Sequence, residues 1–382
     1  MRILQVCPYF SPHVGGVETH VEMISGELAR RGHDVHILTS SHRPGLPASE
    51  VFPKGFTVHR VPCVGEIFRT PLTRGVGKAL AGLPADLVHL HYPPPITPFQ
   101  AARSLRDQGV PVCLTYHCDL FLEVPGGRLL TGLYERVFLP TPLDLARRII
   151  VHSASYARTS RALQGRPLAV VPSTVDTHRF APRPDDPDLR KKLRAEGVPV
   201  VLFVGRLVPH KGVEDLILAL LDLPPPTLLV VAGDGPRRPA LERLAGSQGL
   251  SSRVRFVGSV PDEDLPRYHA ISQVVVLPSN NRLEGFGLAI VEAMASGRPV
   301  IVADVPGVRD VIEDGRDGLL AEPLLSSNIA QHCRQLLADP ALRDALGRRA
   351  RESAVRKYDL SVVVDRLEAV YQEVIRSPPG GG

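Results

Sequence analysis

Residues 273–294 read Gln273-Val274-Val275-Val276-Leu277-Pro278-Ser279-Asn280-Asn281-Arg282-Leu283-Glu284-Gly285-Phe286-Gly287-Leu288-Ala289-Ile290-Val291-Glu292-Ala293-Met294. After Gln273, the four residues Val274 to Leu277 are branched and apolar with no polar alternation, the pattern of a strand buried on both faces. A polar loop, Pro278 to Leu283, follows. Gly285 and Gly287 then open a turn and leave backbone N–H groups bare, and a helical pattern starts at about Leu288. Strand, glycine turn and helix in this order are the building unit of a doubly wound α/β sheet.

The same rhythm runs outward in both directions. In the second half, strands are expected at 199–205, 227–232, 254–257, 273–277 and 299–302, with helices between them. In the first half they are expected at 2–7, 34–39, 57–62, 86–91, 111–116, 148–152 and 168–171, with a helix at 17–30 ending at Arg30-Arg31-Gly32. Residues 181–190 hold three prolines and three aspartates and read as a linker running into a helix start. The fold class is therefore α/β, with two Rossmann-like doubly wound domains: 1–180, and 181–357. A last helical pattern, 360–376, puts Val362, Val363, Leu367, Val370, Tyr371 and Val374 on one face, and it is expected to pack back on the first domain. Two such domains should face one another across a cleft lined by strand carboxyl ends. The Pro/Gly-rich tail 377–382 reads as disordered. No repeat of fixed period is visible.

Length and composition fit this division. The 382 residues exceed one ordinary core and suit two. No run reaches the ~18 apolar residues of a membrane span. The opening Met1-Arg2-Ile3-Leu4-Gln5-Val6 reads as a strand and not a signal peptide, so a cytosolic protein is expected. Five scattered cysteines show neither CxxC pairing nor zinc spacing and fit a reducing compartment. Residues 1–180 carry 19 Lys/Arg against 13 Asp/Glu, a balance of +6; residues 181–382 carry 26 against 27, a balance of −1. The basic half either meets something anionic or reflects a generally Arg-rich composition.

Two elements carry chemistry. In the 284–294 segment the helix start attracts phosphate. Glu284 before it and Glu292 within it can address hydroxyls of one elongated ligand, because each carboxylate accepts several hydrogen bonds. The second element is Val204-Gly205-Arg206-Leu207-Val208-Pro209-His210-Lys211-Gly212. It ends a strand, and two fixed cations, Arg206 and Lys211, can neutralise a diphosphate without a metal. In the first half His117 ends an apolar strand. It reads either as a proton-moving or hydroxyl-binding group or as a buried structural histidine, like His89, His91 and His152 near similar strand ends. Asp119 is a further acid/base candidate. No Gly-x-Gly-x-x-Gly follows the first strand and no P-loop is present, which argues against a dinucleotide oxidoreductase or a P-loop enzyme. Asp186-Pro187-Asp188 reads as helix-start acidity, not as a metal site.

These elements resemble glycosyltransferase family 4, a retaining family of the GT-B architecture. Its Glu-x7-Glu segment is met by Glu284 and Glu292, and its Gly-Arg-Leu…Lys-Gly segment by Gly205 to Gly212. Pro12 to Glu18 is similar to the family's N-terminal glycine loop, Thr115-Tyr116-His117 to its histidine strand end, and Val231 to Pro236 and Val257-Gly258 to its donor-domain turns. Val171-Pro172-Ser173-Thr174-Val175-Asp176 departs from the usual Pro-Asn-Gly-Val-Asp. The resemblance implies a hexosyltransferase moving a mannose- or glucose-type sugar from a GDP- or UDP-sugar, without metal or other cofactor and without nucleic acid. Arg206 and Lys211 would hold the diphosphate, Glu292 the ribose and Glu284 the transferred sugar. The loop at Gly233, the segment Gly285, Phe286, Gly287 and Leu288, and the glycine loop at Gly15 and Gly16 would complete the donor site. His117 would lie by the anomeric carbon and the acceptor. The rivals are a hydrolysing epimerase, a phosphorylase and a non-catalytic sugar-nucleotide-binding subunit.

The acceptor stays open between a lipid-linked and a small soluble molecule. Residues 66–82 place Phe68, Leu72, Val76 and Leu80 four apart, with Arg69, Arg74 and Lys78 beside them. This reads as a mobile helical segment that orders against an anionic acceptor or the inner face of a membrane. An ordinary helix covering the sheet is the other reading.

Overall fold

The computed structural model describes residues 1–13, 15–120 and 127–377. Val14 of the glycine loop and the Pro/Gly tail from Pro378 lie outside these residues. The chain divides into two compact units, and each has its own parallel sheet.

The first unit comprises Met1–His152, Ser160–Pro172 and the residues from Leu360 on. Its strands are β1 (Arg2–Val6), β2 (Asp34–Ser41), β3 (Ser49–Val51), β4 (Thr57–Ile67), β5 (Thr70–Thr73), β6 (Leu87–Tyr92), β7 (Val112–Tyr116), β8 (Arg148–Val151) and β9 (Leu168–Val170). The order is β3-β4-β2-β1-β6-β7-β8-β9, with β5 hydrogen-bonded to β4. All pairings along this order are parallel except β3 with β4. The winding reverses between β1 and β6, so the carboxyl ends of β1, β6 and β7 form the natural binding edge.

The helix Leu360–Arg376 belongs to this unit. It buries Val363, Val364, Leu367, Val370, Tyr371 and Val374 in one core with Ile3, Val21, Ile24, Leu28 and Ile37. Val364, rather than Val362, is the inward residue near its start. Arg31 ties the helix down at Asp365 (2.6 Å) and Glu368 (2.5 Å), and Arg147 donates to the Val374 carbonyl at 3.0 Å.

Residues 66–82 depart from the expected helical segment. Glu66 pairs with Pro71 and Ile67 with Thr70, so β4 and β5 form an antiparallel hairpin. Its two central residues, Phe68 (φ 48°) and Arg69 (φ 58°), both lie in the left-handed region, as a two-residue hairpin turn demands. Only Val76–Ala81 is helical. The four-residue spacing from Phe68 to Leu80 is a coincidence across a strand, a turn and a helix. The short strands β3 and β5 were not expected from the sequence, because three or four residues give too little pattern to read.

The second unit comprises Ser153–Thr159 and Ser173–Asp359. Its strands are β10 (Val200–Val204), β11 (Leu228–Ala232), β12 (Val254–Gly258), β13 (Val274–Leu277), β14 (Val300–Ala303) and β15 (Leu319–Ala321). The order β12-β11-β10-β13-β14-β15 is parallel throughout. Val175 and Phe180 are already buried in its core. The proline-rich 181–190 stretch is therefore structured within this unit and does not link the two: Asp186 caps the helix Pro187–Leu193 by accepting from the Leu189 N–H at 2.9 Å. The short segment Ser153–Thr159 joins the same unit through Asp310, which accepts from the Ser153 hydroxyl (2.6 Å) and the Ser155 N–H (2.7 Å).

Candidate active site

In the second sheet the winding reverses between β10 and β13, and the two chemistry-bearing elements leave the carboxyl ends of those two neighbouring strands. The loops are laced together by main chain. Gly205 N–H donates to Ala232 O at 2.9 Å, Leu207 N–H to Asp234 O at 2.9 Å, and Gly233 N–H to Gly258 O at 2.8 Å. A Cβ on Gly233 would stand 1.9 Å from the Gly205 carbonyl oxygen, so no side chain fits there. Gly287 caps the helix Leu288–Ala295 at φ 87°, ψ 62°, a left-handed conformation that only glycine adopts cheaply. The helix start thus faces the strand-end loops with its first N–H groups free of intrahelical partners.

Lys211 is ion-paired with Glu284, both side chains being mostly buried, and the Ser279 hydroxyl lies 3.4 Å from the same carboxylate oxygen. Arg206 is exposed at the end of β10. Glu292 sits one helical turn beyond Leu288. Burial pushes its carboxyl up to about 8, with Asp262 adding to the rise and Arg179 opposing it. The structure therefore brings Arg206, Lys211, Gly233, Glu284, Gly285, Gly287, Leu288 and Glu292 onto adjoining loops of one unit. Phe286 differs from the others. Its ring is buried edge-on against Tyr358 at 5.7 Å, so only its main chain faces the loop.

The remaining candidates belong to the first unit. Gly15 caps the helix Gly16–Arg30, and the Glu18 carboxylate from the first turn folds back beside it, 3.1 Å from His13 Nδ1. His117 follows β7, and its N–H donates to Tyr92 O at 2.9 Å. Its ring does not stand open: Nε2 is 3.1 Å from His91 Nδ1, and Nδ1 is 3.0 Å from His152 Nε2. Burial, then His152, His20 and His89, hold it far below the ordinary imidazole range. Asp119 accepts from the Tyr116 hydroxyl (2.8 Å) and the Ser160 hydroxyl (2.8 Å), which ties the β7 end to the segment before β9. Arg69, Arg74 and Lys78 are exposed on the hairpin turn and the short helix after it. Sequence reasoning treated His91 and His152 as background. Their only signal was their position at strand ends beside His117.

No helix among the described residues is long and apolar enough to cross a membrane. Residues 185–353 match the family model for glycosyl transferases group 1, and residues 14–179 that for glycosyltransferase family 4. The chain is 34% identical over 293 residues to the alpha-D-kanosaminyltransferase of Streptomyces kanamyceticus, covering 72% of this chain and 73% of that one. It is 30% identical over 395 residues to the phosphatidyl-myo-inositol mannosyltransferase of Mycobacterium tuberculosis, covering 99% and 98%. Among solved structures, HepE of Anabaena in complex with UDP and glucose superposes with a TM-score of 0.81 at 22% identity, over 98% of this chain and all of that one. That likeness shows the fold. With the sequence relatives and both family models in agreement, the chain belongs to glycosyltransferase family 4 and is a nucleotide-sugar glycosyltransferase of GT-B architecture.

Proposed function

We propose that this enzyme is a retaining, metal-independent hexosyltransferase that moves a mannose- or glucose-type sugar from a GDP- or UDP-sugar to an acceptor hydroxyl. One observation carries the reading: Lys211 is fixed against Glu284 at the winding reversal of the second sheet, beside Arg206 and the start of the Leu288 helix. Two cations and a helix terminus oppose the charge that develops on a leaving diphosphate, which is where transfer enzymes place their stabilisation. Glu284 then accepts from a hydroxyl of the sugar. Glu292, protonated at neutral pH by its burial, offers one donor and one acceptor to a ribose. The proton of the acceptor hydroxyl passes to the leaving phosphate. This favours front-face attack with retention.

Relatives named for phosphatidylinositol chemistry support a lipid-borne acceptor. The β4–β5 hairpin supports it too, with Ile67 and Phe68 exposed at its tip next to Arg69, and Val64 exposed further along β4. On this reading the enzyme works at the cytosolic face of a membrane.

A thermal-shift panel of GDP, UDP and their mannose and glucose conjugates tests the donor, since a ligand that binds only the folded state raises Tm. Stabilisation by one base series supports the site; no shift with any of them sinks it. Transfer should survive EDTA, and abolition with rescue by magnesium would remove the metal-independent part. Binding to anionic vesicles should weaken with salt and with Arg69, Arg74 and Lys78 changed together to Ser. Absence of vesicle binding at low salt points to a small soluble acceptor.

A further inference from the structure

The helix Gly127–Phe138 of the first unit is built inside out. A helix that covers a sheet normally turns its aliphatic stripe inward and its polar side to water. Here Thr131 is buried and Glu135 half-buried, while Leu129, Leu130, Leu133 and Val137 stand in solvent, Leu129 at 81% and Leu133 at 60% exposure. At 3.6 residues per turn these four fall within an arc of about 100°. Arg136, also exposed, borders the arc on one side and Tyr134 on the other. Glu135, the one acidic residue of the helix, lies across from the arc, and burial raises its carboxyl above the usual range.

The inward side is pinned by rings. Phe138 packs edge-on against Phe99 of the helix Ile96–Leu105 at 5.1 Å, and Tyr134 against Phe138 at 4.8 Å. The Tyr134 hydroxyl faces the Thr70 side chain, directly after the Phe68-Arg69 turn of the β4–β5 hairpin. That hairpin rests on the same helix. The Thr73 hydroxyl donates to Gln100 Oε1 at 2.8 Å, and its carbonyl accepts from Gln100 Nε2 at 3.1 Å. The leucine stripe and the hairpin therefore share one support and meet at Tyr134 and Thr70.

Charge decides what covers this surface. Arg69, Arg74, Lys78 and Arg136 are exposed around it. The hairpin strands and the helix hold one carboxylate each: Glu66 accepts from the Tyr9 hydroxyl at 2.9 Å, and Glu135 is turned inward. A second copy related by a two-fold axis would bring like cations together. A leucine stripe bordered by cations instead has the composition of a helix lying in the headgroup region of an anionic bilayer.

We propose that the outer face of the Gly127–Phe138 helix and the β4–β5 tip form one membrane-docking surface. Leu129, Leu130, Leu133 and Val137 enter the boundary between headgroups and acyl chains, and Arg69 and Arg136 meet lipid phosphates. Its purpose, bringing the enzyme to a lipid-borne acceptor, rests on the reading in the previous subsection. The hairpin gives a part of the binding that salt screens, and the helix a part that salt leaves in place.

The chain contains no tryptophan, so Leu133→Trp puts a single indole on the stripe. Mixed phosphatidylcholine–phosphatidylglycerol vesicles should shift its emission to the blue, and chain-brominated lipid should quench it. An unshifted, unquenched indole on protein that co-sediments with the same vesicles overturns the proposal. Leu129→Ser with Leu133→Ser should lower the vesicle partition constant about tenfold or more. Tm should stay unchanged, because both side chains already face water in the free protein. A helix variant that binds like wild type, beside an Arg69, Arg74 and Lys78 variant that does not, strikes the helix and keeps the lipid-borne acceptor. Docking through the helix with transfer to soluble acceptors alone keeps the surface and removes that acceptor. Wild-type protein that sediments as a dimer, with the double serine variant a monomer that binds vesicles normally, makes the stripe an interface between copies and overturns the proposal.

Discussion

At the scale of single residues, Lys211 and Glu284 neutralise each other in the ligand-free protein, so each protects the other from being a lone buried charge. Lys211→Met should cost stability on the order of 3–5 kcal/mol by denaturant unfolding, and Lys211→Met with Glu284→Gln should recover much of it. Both should abolish transfer. Recovery of stability without activity separates the pair's two roles, while additive losses would show that the groups do not interact. Glu292 gives a prediction of opposite sign. Its folded carboxyl titrates at about 8, against the lower range of an unfolded chain. The folded state therefore keeps a proton that the unfolded state gives up as pH rises, and stability falls between those two points. Glu292→Gln should raise stability at pH 8, by on the order of 1–2 kcal/mol once solvent access is allowed for, with a matching rise in Tm, and change little at pH 4.5. It should also weaken nucleotide binding. Equal Tm effects at both pH values would contradict the burial of this carboxyl. Glu284 and Glu292 could be singled out in advance because both lie within one short local spacing. The buried polar pair Gln5 and Tyr371 could not: they are 366 positions apart, and nothing local marks either as polar core.

At the scale of elements, strands and helices were legible wherever the apolar pattern ran for a full turn or several pleats. Examples are β10, β13 and the Leu360–Arg376 helix. The segment 66–82 was misread because its helical spacing spans a turn built from Phe68 and Arg69, residues with no turn signature. Left-handed backbone costs such residues roughly 1–2 kcal/mol each relative to glycine or asparagine. Replacing Phe68-Arg69 by Asn-Gly should therefore raise Tm. A fall in Tm would show that the hairpin is not formed as described. If the tip meets lipid, the same variant should lose vesicle binding while becoming more stable, a divergence that a purely structural turn would not show.

At the scale of the whole molecule, the fold class followed from alternation alone, while the assignment of residues to units depended on which apolar side chains meet. Val175 and Phe180 entered the second core, so the passage between units lies at Pro172–Ser173, upstream of the prolines that looked like a linker. The two units should also differ in acid. The first buries His20, His89, His91 and His152 and half-buries His117, all held below the ordinary imidazole range chiefly by desolvation, His89 at about 3 and His152 at about 4. The unfolded state takes up these protons below about pH 6.5 and the folded state does not, so stability is lost as pH falls, by up to about 1.4 kcal/mol per pH unit for each histidine. Among the described residues of the second unit, burial holds His269 at about 3. Acid titration followed by hydrogen exchange should show the first unit opening first, near pH 5, with uptake of several protons; simultaneous opening of both would remove this account. The helix Leu360–Arg376 has one more consequence, in the order of events on the ribosome. The second unit is nearly contiguous in the chain, whereas the first leaves one face of its core bare until this helix emerges. At ~5–20 residues per second, that face waits many seconds after its own strands are made. Nascent chains arrested before Leu360 should hold a protease-resistant second unit and a first unit that recruits chaperones, so the half synthesised first is the half completed last.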